Sequence, residues 1–193
     1  MRIITGSARG CRLKTPKGQA TRPTSDRIKE SLFNILGSKV YGRKVLDIFA
    51  GTGNLGLEAL SRGAASACFV DQATAVLIRE NAVHTRLQDR ATVHGGDVFA
   101  QLARFEQGGA SFDLIFCDPP YHKGLFERAL TFFDESTVLA HDGILVVEHG
   151  ADENTMPELA KLSCVLNRRY GHTTQLSFFQ RKAYLKEIEE AEQ

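Results

Sequence analysis

Residues Lys44–Leu60, KVLDIFAGTGNLGLEAL, carry the pattern from which the fold of this chain is predicted. The first six of these residues, Lys44–Phe49, are mostly apolar, which predicts a short buried strand. The glycine-rich segment Ala50–Asn54 follows, and the apolar spacing after it predicts a helix that Asn54 caps. A strand, a glycine loop and a helix N-terminus form a turn that lets a small ligand touch backbone and offers N–H groups to an anionic group.

The rest of the chain extends this strand–loop–helix unit into an α/β pattern. Strand-like and helix-like runs alternate from Lys44 onward, which predicts a parallel sheet covered on both faces. Two last strand-like runs, Leu162–Leu166 and Thr174–Phe179, have little between them and predict an antiparallel pair at one edge. The predicted strands are 44–49, 66–70, 91–94, 112–117, 143–148 and these two, and the predicted helices are 54–62, 73–87, 97–105 and 124–133.

The N-terminal residues differ in charge from the rest. Residues 1–44 contain 11 Lys and Arg against two acids, a net charge of +9, whereas residues 45–193 carry −8. Two short strands around Gly6–Gly10 predict a hairpin, and a helix capped by Thr24 or Ser25 follows a loop. A basic extension on an acidic body indicates contact with a polyanion. We take this polyanion to be a nucleic acid, and the residues predicted to bind it are Arg9, Arg22, Thr24 and Arg27.

Three segments follow from these patterns. Residues 1–38 are predicted to be the basic extension for nucleic-acid binding, residues 39–183 the α/β domain and residues 184–193 a charged tail. No apolar run is long enough for a membrane span, and the chain does not open with a secretory signal. The scattered cysteines and histidines lack metal-ligand spacing. We therefore expect a cytoplasmic, monomeric protein without a metal.

Acidic residues end several of the predicted strands. Asp47, Asp71, Asp97 and Asp118 each lie at or near the carboxyl end of a strand, the edge where doubly wound sheets bind ligands. The glycines match the dinucleotide pattern G-x-G-x-x-G, so NAD is one possible ligand. Four carboxylates would repel a pyrophosphate but would accept the ammonium and sulfonium of S-adenosylmethionine. The predicted cofactor-binding residues are Asp47, Phe49, Gly51, Gly53, Asp71, Asp97 and Val98.

A second motif, Asp118-Pro119-Pro120-Tyr121, follows the apolar run Phe112–Cys117. Two prolines fix φ and remove N–H donors, so the local carbonyls are left to accept hydrogen bonds. The residue before each proline is pushed to an extended conformation, which aims the carboxylate away from the sheet. This arrangement suits holding a planar amino group beside an aromatic ring. The alternative interpretation is purely structural, because a strand that ends in a rigid turn uses the same types of residue.

Together these motifs resemble the S-adenosylmethionine-dependent methyltransferases with a Rossmann-like seven-stranded, mostly parallel sheet. Within that class the chain resembles the bacterial family that methylates N2 of a guanine, usually numbered 966, in 16S ribosomal RNA. The resemblance runs from Arg2 to about Gln180. It is carried by Arg2–Ile4, Gly6, Arg9-Gly10, Arg22–Thr24, Asp26-Arg27, Glu30–Leu36, Asp47–Gly53, Leu55–Ala64, Asp118–Tyr121 and Val147–His149.

The resemblance implies a mechanism. The Asp118 carboxylate and the Pro119 carbonyl would bind the two hydrogens of the guanine amine, and Tyr121 would stack on the base. Catalysis would then be mostly positioning, on a base extruded from its helix. The implied partner is 16S rRNA, within a small-subunit assembly particle. Two alternatives remain: a DNA methyltransferase acting on adenine N6, and a non-catalytic RNA-binding assembly factor.

Overall fold

A computed structural model describes residues 1–16, 26–153 and 156–192. The strands are β1 Lys44–Ile48, β2 Ser66–Asp71, β3 Ala91–Gly95, β4 Phe112–Cys117, β5 Leu139–Gly150, β6 Leu162–Tyr170 and β7 Thr174–Arg181. The helices are α1 Asp26–Leu36, α2 Asn54–Ser61, α3 Ala75–His84, α4 Val98–Gln107, α5 Leu125–Glu135 and α6 Lys182–Ala191, with short 3₁₀ turns at Gly37–Val40 and Gln88–Arg90.

The strands form one seven-stranded sheet in the order β3-β2-β1-β4-β5-β7-β6. β1 pairs in parallel with β2, β2 with β3 and β4 with β5. β7 runs antiparallel to both β5 and β6, so the antiparallel pair lies at one edge of the sheet. This confirms the predicted Rossmann-like, mostly parallel α/β fold. The described residues form two compact units, Met1–Gln101 and Leu102–Gln193.

Several predicted boundaries need correction. β5 begins at Leu139 rather than at 143, since the segment before Gly143 already pairs with β4. The charged end of the chain is part of a continuous helix from Lys182, which begins two residues before the predicted tail. The N-cap of α2 is Gly53, whose φ of 77° is left-handed, and not Asn54, which is the first helical residue. Glycine adopts this conformation at little cost.

The N-terminal segment is anchored in the first unit by a buried carboxylate. Glu58 of α2 accepts hydrogen bonds from the N–H groups of Ile4, at 2.7 Å, and Thr5, at 3.0 Å. Glu58 also pairs with the ammonium of Lys29 in α1, with an N–O distance of 3.2 Å and both side chains fully buried. Burial lowers the pKa of Lys29, and the charge of Glu58 opposes that effect. Removing Glu58 would leave the Lys29 ammonium buried without its ion-pair partner, whereas Glu58 also pairs with Arg62, at 2.8 Å.

The predicted N-terminal hairpin is short, with one antiparallel bridge between Arg2 and Arg12. Its turn lies against the end of α2. A side chain at Gly6 would place Cβ 1.8 Å from the Ser61 carbonyl oxygen, and Gly6 has a φ of 89°. The position therefore requires glycine for space and for backbone conformation. The turn of the N-terminal hairpin thus packs directly against the end of α2.

Candidate active site

The glycine loop after β1 consists of Phe49–Gly53 and follows a left-handed path. Phe49, Gly51 and Gly53 have φ angles of 57°, 56° and 77°. A positive φ is costly for a bulky residue such as phenylalanine. The Phe49 ring contacts the ring of Phe99 edge-on, with centroids 6.1 Å apart. Backbone strain at a strand end is characteristic of binding loops, and here it sets the direction in which the loop leaves the sheet.

Gly51 is fixed by side chains from the segment after β2. Its N–H donates to Asp71 Oδ2 at 2.9 Å, and its carbonyl accepts from the Thr74 hydroxyl. The other oxygen of Asp71 accepts from the N–H groups of Ala73 and Thr74, both at 2.9 Å. A Cβ at Gly51 would meet no protein atom within 4 Å. The loop therefore leaves open space beside Gly51. Sequence reasoning missed Thr74, which no motif marks.

Asp47 is buried beneath the same loop. Its Oδ2 accepts the N–H of Gly56 in α2 at 2.8 Å, and only 2% of the residue is exposed. Burial raises the pKa of Asp47 to about 8, the Gly56 hydrogen bond opposes the rise and the Asp71 charge adds to it. A cationic group of a ligand near this carboxyl would favour its ionised form.

The third glycine of the pattern has a packing role. A Cβ at Gly56 would lie 2.3 Å from Cε1 of Phe69 in β2. This is the close helix–strand approach that the third glycine permits in dinucleotide-binding turns. The match to that pattern therefore reflects packing of α2 on the sheet as much as ligand binding.

Asp97 and Val98 follow β3, at the same end of the sheet. Asp97 is exposed, and its Oδ1 accepts the N–H of Ala100 at 2.8 Å, so it caps α4. The preceding Gly96 donates its N–H to the carbonyl of Asp71 at 3.3 Å, whereas Val98 is buried. Hydrogen bonds thus link the loops that carry Gly51, Asp71 and Asp97, and the predicted cofactor residues of the first unit lie together.

The D-P-P-Y loop, Asp118–Tyr121, lies in the second unit, directly after β4. Asp118 is half-buried, Pro119 is buried and Pro120 is exposed. The hydroxyl of Tyr121 lies 3.2 Å from Oε1 of Glu148 and 3.5 Å from the Thr174 hydroxyl oxygen. Burial raises the pKa of Tyr121, and the charges of Glu148 and Asp118 raise it further. The phenol stays protonated and donates to Glu148, which fixes the direction of the ring.

Glu148 is a site residue to which sequence reasoning gave no specific role. It lies near the end of β5 and is 7% exposed. The sequence does contain a signal for this residue. Glu148 is a carboxylate directly after the apolar run 144–147, in a strand whose carboxyl end lies at the ligand-binding edge of such sheets. His149 points elsewhere: its Nε2 lies 2.8 Å from the Ser177 hydroxyl oxygen, and its ring stacks on Phe126 at 4.2 Å. Its role is structural.

The turn after the D-P-P-Y loop is tied to the end of β5. The N–H groups of His122 and Gly150 donate to the two oxygens of Glu153, at 2.8 Å and 2.7 Å. His122 has a φ of 59° and lies in this turn, whereas α5 begins only at Leu125. His122 therefore lies in the turn before α5 and not in the helix. Glu153 thus links the turn after the D-P-P-Y loop to the end of β5 by accepting hydrogen bonds from backbone N–H groups of both.

The predicted RNA-binding residues are distributed over the N-terminal segment. Arg9 and Arg27 are exposed. Arg22 and Thr24 lie outside the described residues. Within residues 1–16, 26–153 and 156–192, no group of three or more metal-ligating side chains is present. In the same ranges, no helix is both long and apolar enough to cross a membrane.

The fold, the glycine loop and the D-P-P-Y loop define a protein of the Rossmann-like methyltransferase class. The chain belongs to the family described as conserved hypothetical protein 95, whose model matches residues 1–180. This match, with the relatives below, confirms the family resemblance drawn from the sequence.

Two curated relatives share most of their length with this chain. Ribosomal RNA small subunit methyltransferase D of Escherichia coli (strain K12) is 38% identical over 160 residues, which cover 81% of this chain and 78% of that protein. The protein of the same name from Haemophilus influenzae (strain ATCC 51907 / DSM 11121 / KW20 / Rd) is 34% identical over 155 residues, covering 79% and 80%. A solved structure of a hypothetical protein from Thermus thermophilus is 29% identical, with a TM-score of 0.80 over 93% of this chain and 99% of that one.

Proposed function

We propose that this chain transfers a methyl group from S-adenosylmethionine to the exocyclic N2 of one guanine in 16S rRNA, of the guanine 966 type, in the cytoplasm. The observation that carries the proposal is the Asp118–Tyr121 loop, in which Tyr121 is held by buried Glu148 beside a half-buried carboxylate. The relatives named small subunit methyltransferase D support an rRNA substrate. The substrate is the rRNA within a small-subunit assembly particle, and the enzyme acts as a monomer.

The residues of the first unit fit the cofactor. S-adenosylmethionine supplies a methyl group bound to a sulfonium. Gly51, with open space beside it, would approach the methionine portion, and Gly53 lies next to it in the same loop. Asp47 would bind the ammonium of the cofactor, because a nearby cation stabilises the ionised form of the Asp47 carboxyl. One oxygen of Asp71 already binds two backbone N–H groups and the other binds one, and each can accept a further ribose hydroxyl. Asp97 and Val98 would flank the adenine.

The residues of the second unit orient the base. The lone pair of the guanine amine is delocalised into the ring, so the nitrogen is a weak nucleophile until its hydrogens are bound out of the plane. Asp118 and the Pro119 carbonyl are acceptors for the two hydrogens. A ring fixed by Glu148 gives the extruded base a stacking surface at little entropic cost. No strong base is needed, because the methylated amine is acidic and loses a proton to solvent.

The test is to incubate the full chain with radiolabelled S-adenosylmethionine and 30S subunits from a strain that lacks this methyltransferase, and to map the labelled nucleoside. We expect N2-methylguanosine at a single 16S site. Parallel reactions with naked 16S rRNA and with DNA show whether the assembled particle is required and whether DNA is methylated. Label in DNA as N6-methyladenine, or no label in any nucleic acid, would overturn the assignment and favour one of the two alternatives.

A further inference from the structure

The β6–β7 hairpin brings an arginine and a tyrosine to the face of the sheet that holds Tyr121. In antiparallel pairs, residues directly opposite each other project to the same face. Thr174 of β7 is opposite Tyr170 of β6, and Leu176 is opposite Arg168. On its other side β7 pairs with β5, where Glu148 is opposite Leu176. Arg168 and Tyr170 therefore share a face with Glu148 and Thr174.

The same face carries the hydroxyl of the proposed base-stacking residue. Tyr121 OH lies 3.2 Å from Glu148 and 3.5 Å from Thr174, the residue opposite Tyr170. The neighbouring Arg169 projects to the other face, and its Nε donates to the Gly171 carbonyl at 3.2 Å, which holds the hairpin turn. Arg168 is exposed and Tyr170 is half-buried. A cation and an aromatic ring thus lie on the sheet face that carries Glu148 and Thr174, the residues that position Tyr121.

We propose that Arg168 and Tyr170 form a contact surface for the RNA strand next to the extruded guanine, with Arg168 on a phosphate and Tyr170 against a neighbouring base. This inference rests on the proposed function. It adds to the basic N-terminal segment a second RNA contact, at the site of the chemistry itself.

Charge complementarity favours this contact. An RNA strand that delivers a base to Tyr121 brings its phosphates towards the carboxylates of Asp118 and Glu148, which also raise the pKa of Tyr121. Arg168 lies on the face of Glu148, where its guanidinium offsets that repulsion. Aromatic rings bind unstacked bases of single-stranded segments without regard to sequence, which suits the neighbour of an extruded nucleotide.

The experiment measures binding without turnover. The Kd for 30S subunits from the methyltransferase-lacking strain is determined over a range of salt concentrations, with saturating S-adenosylhomocysteine, for the wild type, Arg168→Ala, Tyr170→Ala and Tyr170→Phe. The matched control is Lys186→Ala, which removes an exposed cation on α6. This helix begins after Arg181, the last residue of β7, which lies roughly 23 Å along the strand from Thr174. Thermal midpoints with the same ligand check that each variant is folded.

We expect Arg168→Ala to weaken binding about tenfold at low salt and to reduce the slope of log Kd against log salt by about 0.7–0.9, the share of one phosphate contact. Tyr170→Ala should weaken binding by at least about fivefold with an unchanged slope, and Tyr170→Phe should stay within about twofold of the wild type. The Kd of the Lys186→Ala control should also stay within about twofold of the wild-type value.

Two results overturn the inference: Arg168→Ala matching Lys186→Ala in affinity and slope, or a folded Tyr170→Ala binding as tightly as the wild type. The proposed function fails separately, by absence of N2-methylguanosine in the reaction of the wild type. If the Arg168 and Tyr170 variants bind more weakly while the wild type transfers no methyl group, the RNA contact surface is supported and the proposed reaction is rejected.

Discussion

The glycine loop follows β1 in the first unit and the D-P-P-Y loop follows β4 in the second unit, and the two loops are stiffened in different ways. Gly51 is held through its N–H and its carbonyl, by Asp71 and by Thr74. Asp118 is followed by two proline rings, which fix the backbone covalently and contribute no N–H donors. The first loop is shaped by hydrogen bonds from a neighbouring segment, the second by its own sequence.

The difference matches what each loop has to present. A loop that approaches a ligand closely needs residues without side chains, and such residues are conformationally free, so other parts of the fold must restrain them. A loop that accepts hydrogen bonds from an amine needs oxygens without competing N–H groups, which proline provides locally. The tyrosine after the prolines is the exception, because its ring direction depends on Glu148 and Thr174.

The largest effect is expected at the D-P-P-Y loop. Asp118→Ala removes an acceptor that orients the amine, so we expect kcat to fall by at least about 10³-fold. Affinity for S-adenosylmethionine should be unchanged, because the predicted cofactor residues all lie in the first unit. Labelled methyl transfer and calorimetry measure the two quantities, with the exposed Asp89→Ala as control. Turnover near the wild-type rate would remove Asp118 from the site.

The next effect concerns the glycine loop. Gly51 and Gly42 have φ angles of 56° and 73°, and a Cβ at either would meet no protein atom within 4 Å. Alanine at either position should therefore cost a similar stability, about 1 kcal/mol. Only Gly51→Ala should raise the Kd for S-adenosylmethionine, by about tenfold or more, measured by calorimetry. Equal cofactor affinity in both variants would show that Gly51 does not approach the ligand.

A smaller effect tests how Tyr121 is held. Tyr121→Phe and Glu148→Ala should each lower kcat/KM about tenfold, and the double variant should lose little more, because both changes break one interaction. Glu148→Gln keeps an acceptor for the phenol and should recover most of the activity. The exposed Glu158→Ala serves as control. Additive losses of kcat/KM in the double variant would show that Glu148 does not act through Tyr121.

The last effect concerns stability rather than turnover. The pKa of Asp47 is raised to about 8 by burial, so the native state retains a proton that the unfolded chain loses near its ordinary pKa of 3.8. The unfolded state binds fewer protons in this window, and stability therefore declines as the pH rises from about 4 towards about 8. Asp47→Asn should reduce this slope by up to about 1.4 kcal/mol per pH unit in ligand-free protein. Denaturant titrations at several pH values measure it, and parallel curves for both proteins would contradict the assignment.

Local sequence patterns were enough to predict the alternation of strands and helices, the glycine loop and the D-P-P-Y loop at Asp118–Tyr121. These features depend on residues close together in the chain: apolar periodicity, glycines that permit a turn and prolines that fix one. The match of residues 1–180 to one family model rests on the same local patterns.

The side chains that hold these loops are brought to them by the three-dimensional arrangement of the strands and helices. Thr74 on Gly51, Glu148 and Thr174 on Tyr121, and Glu58 on the N-terminal segment act across 23 to 54 residues of sequence. Such contacts depend on strand order and register, and a register shift of one residue would turn Glu148 and Arg168 to the other face of the sheet. Local patterns predict which segments form strands, but the pairing of distant strands determines which side chains meet.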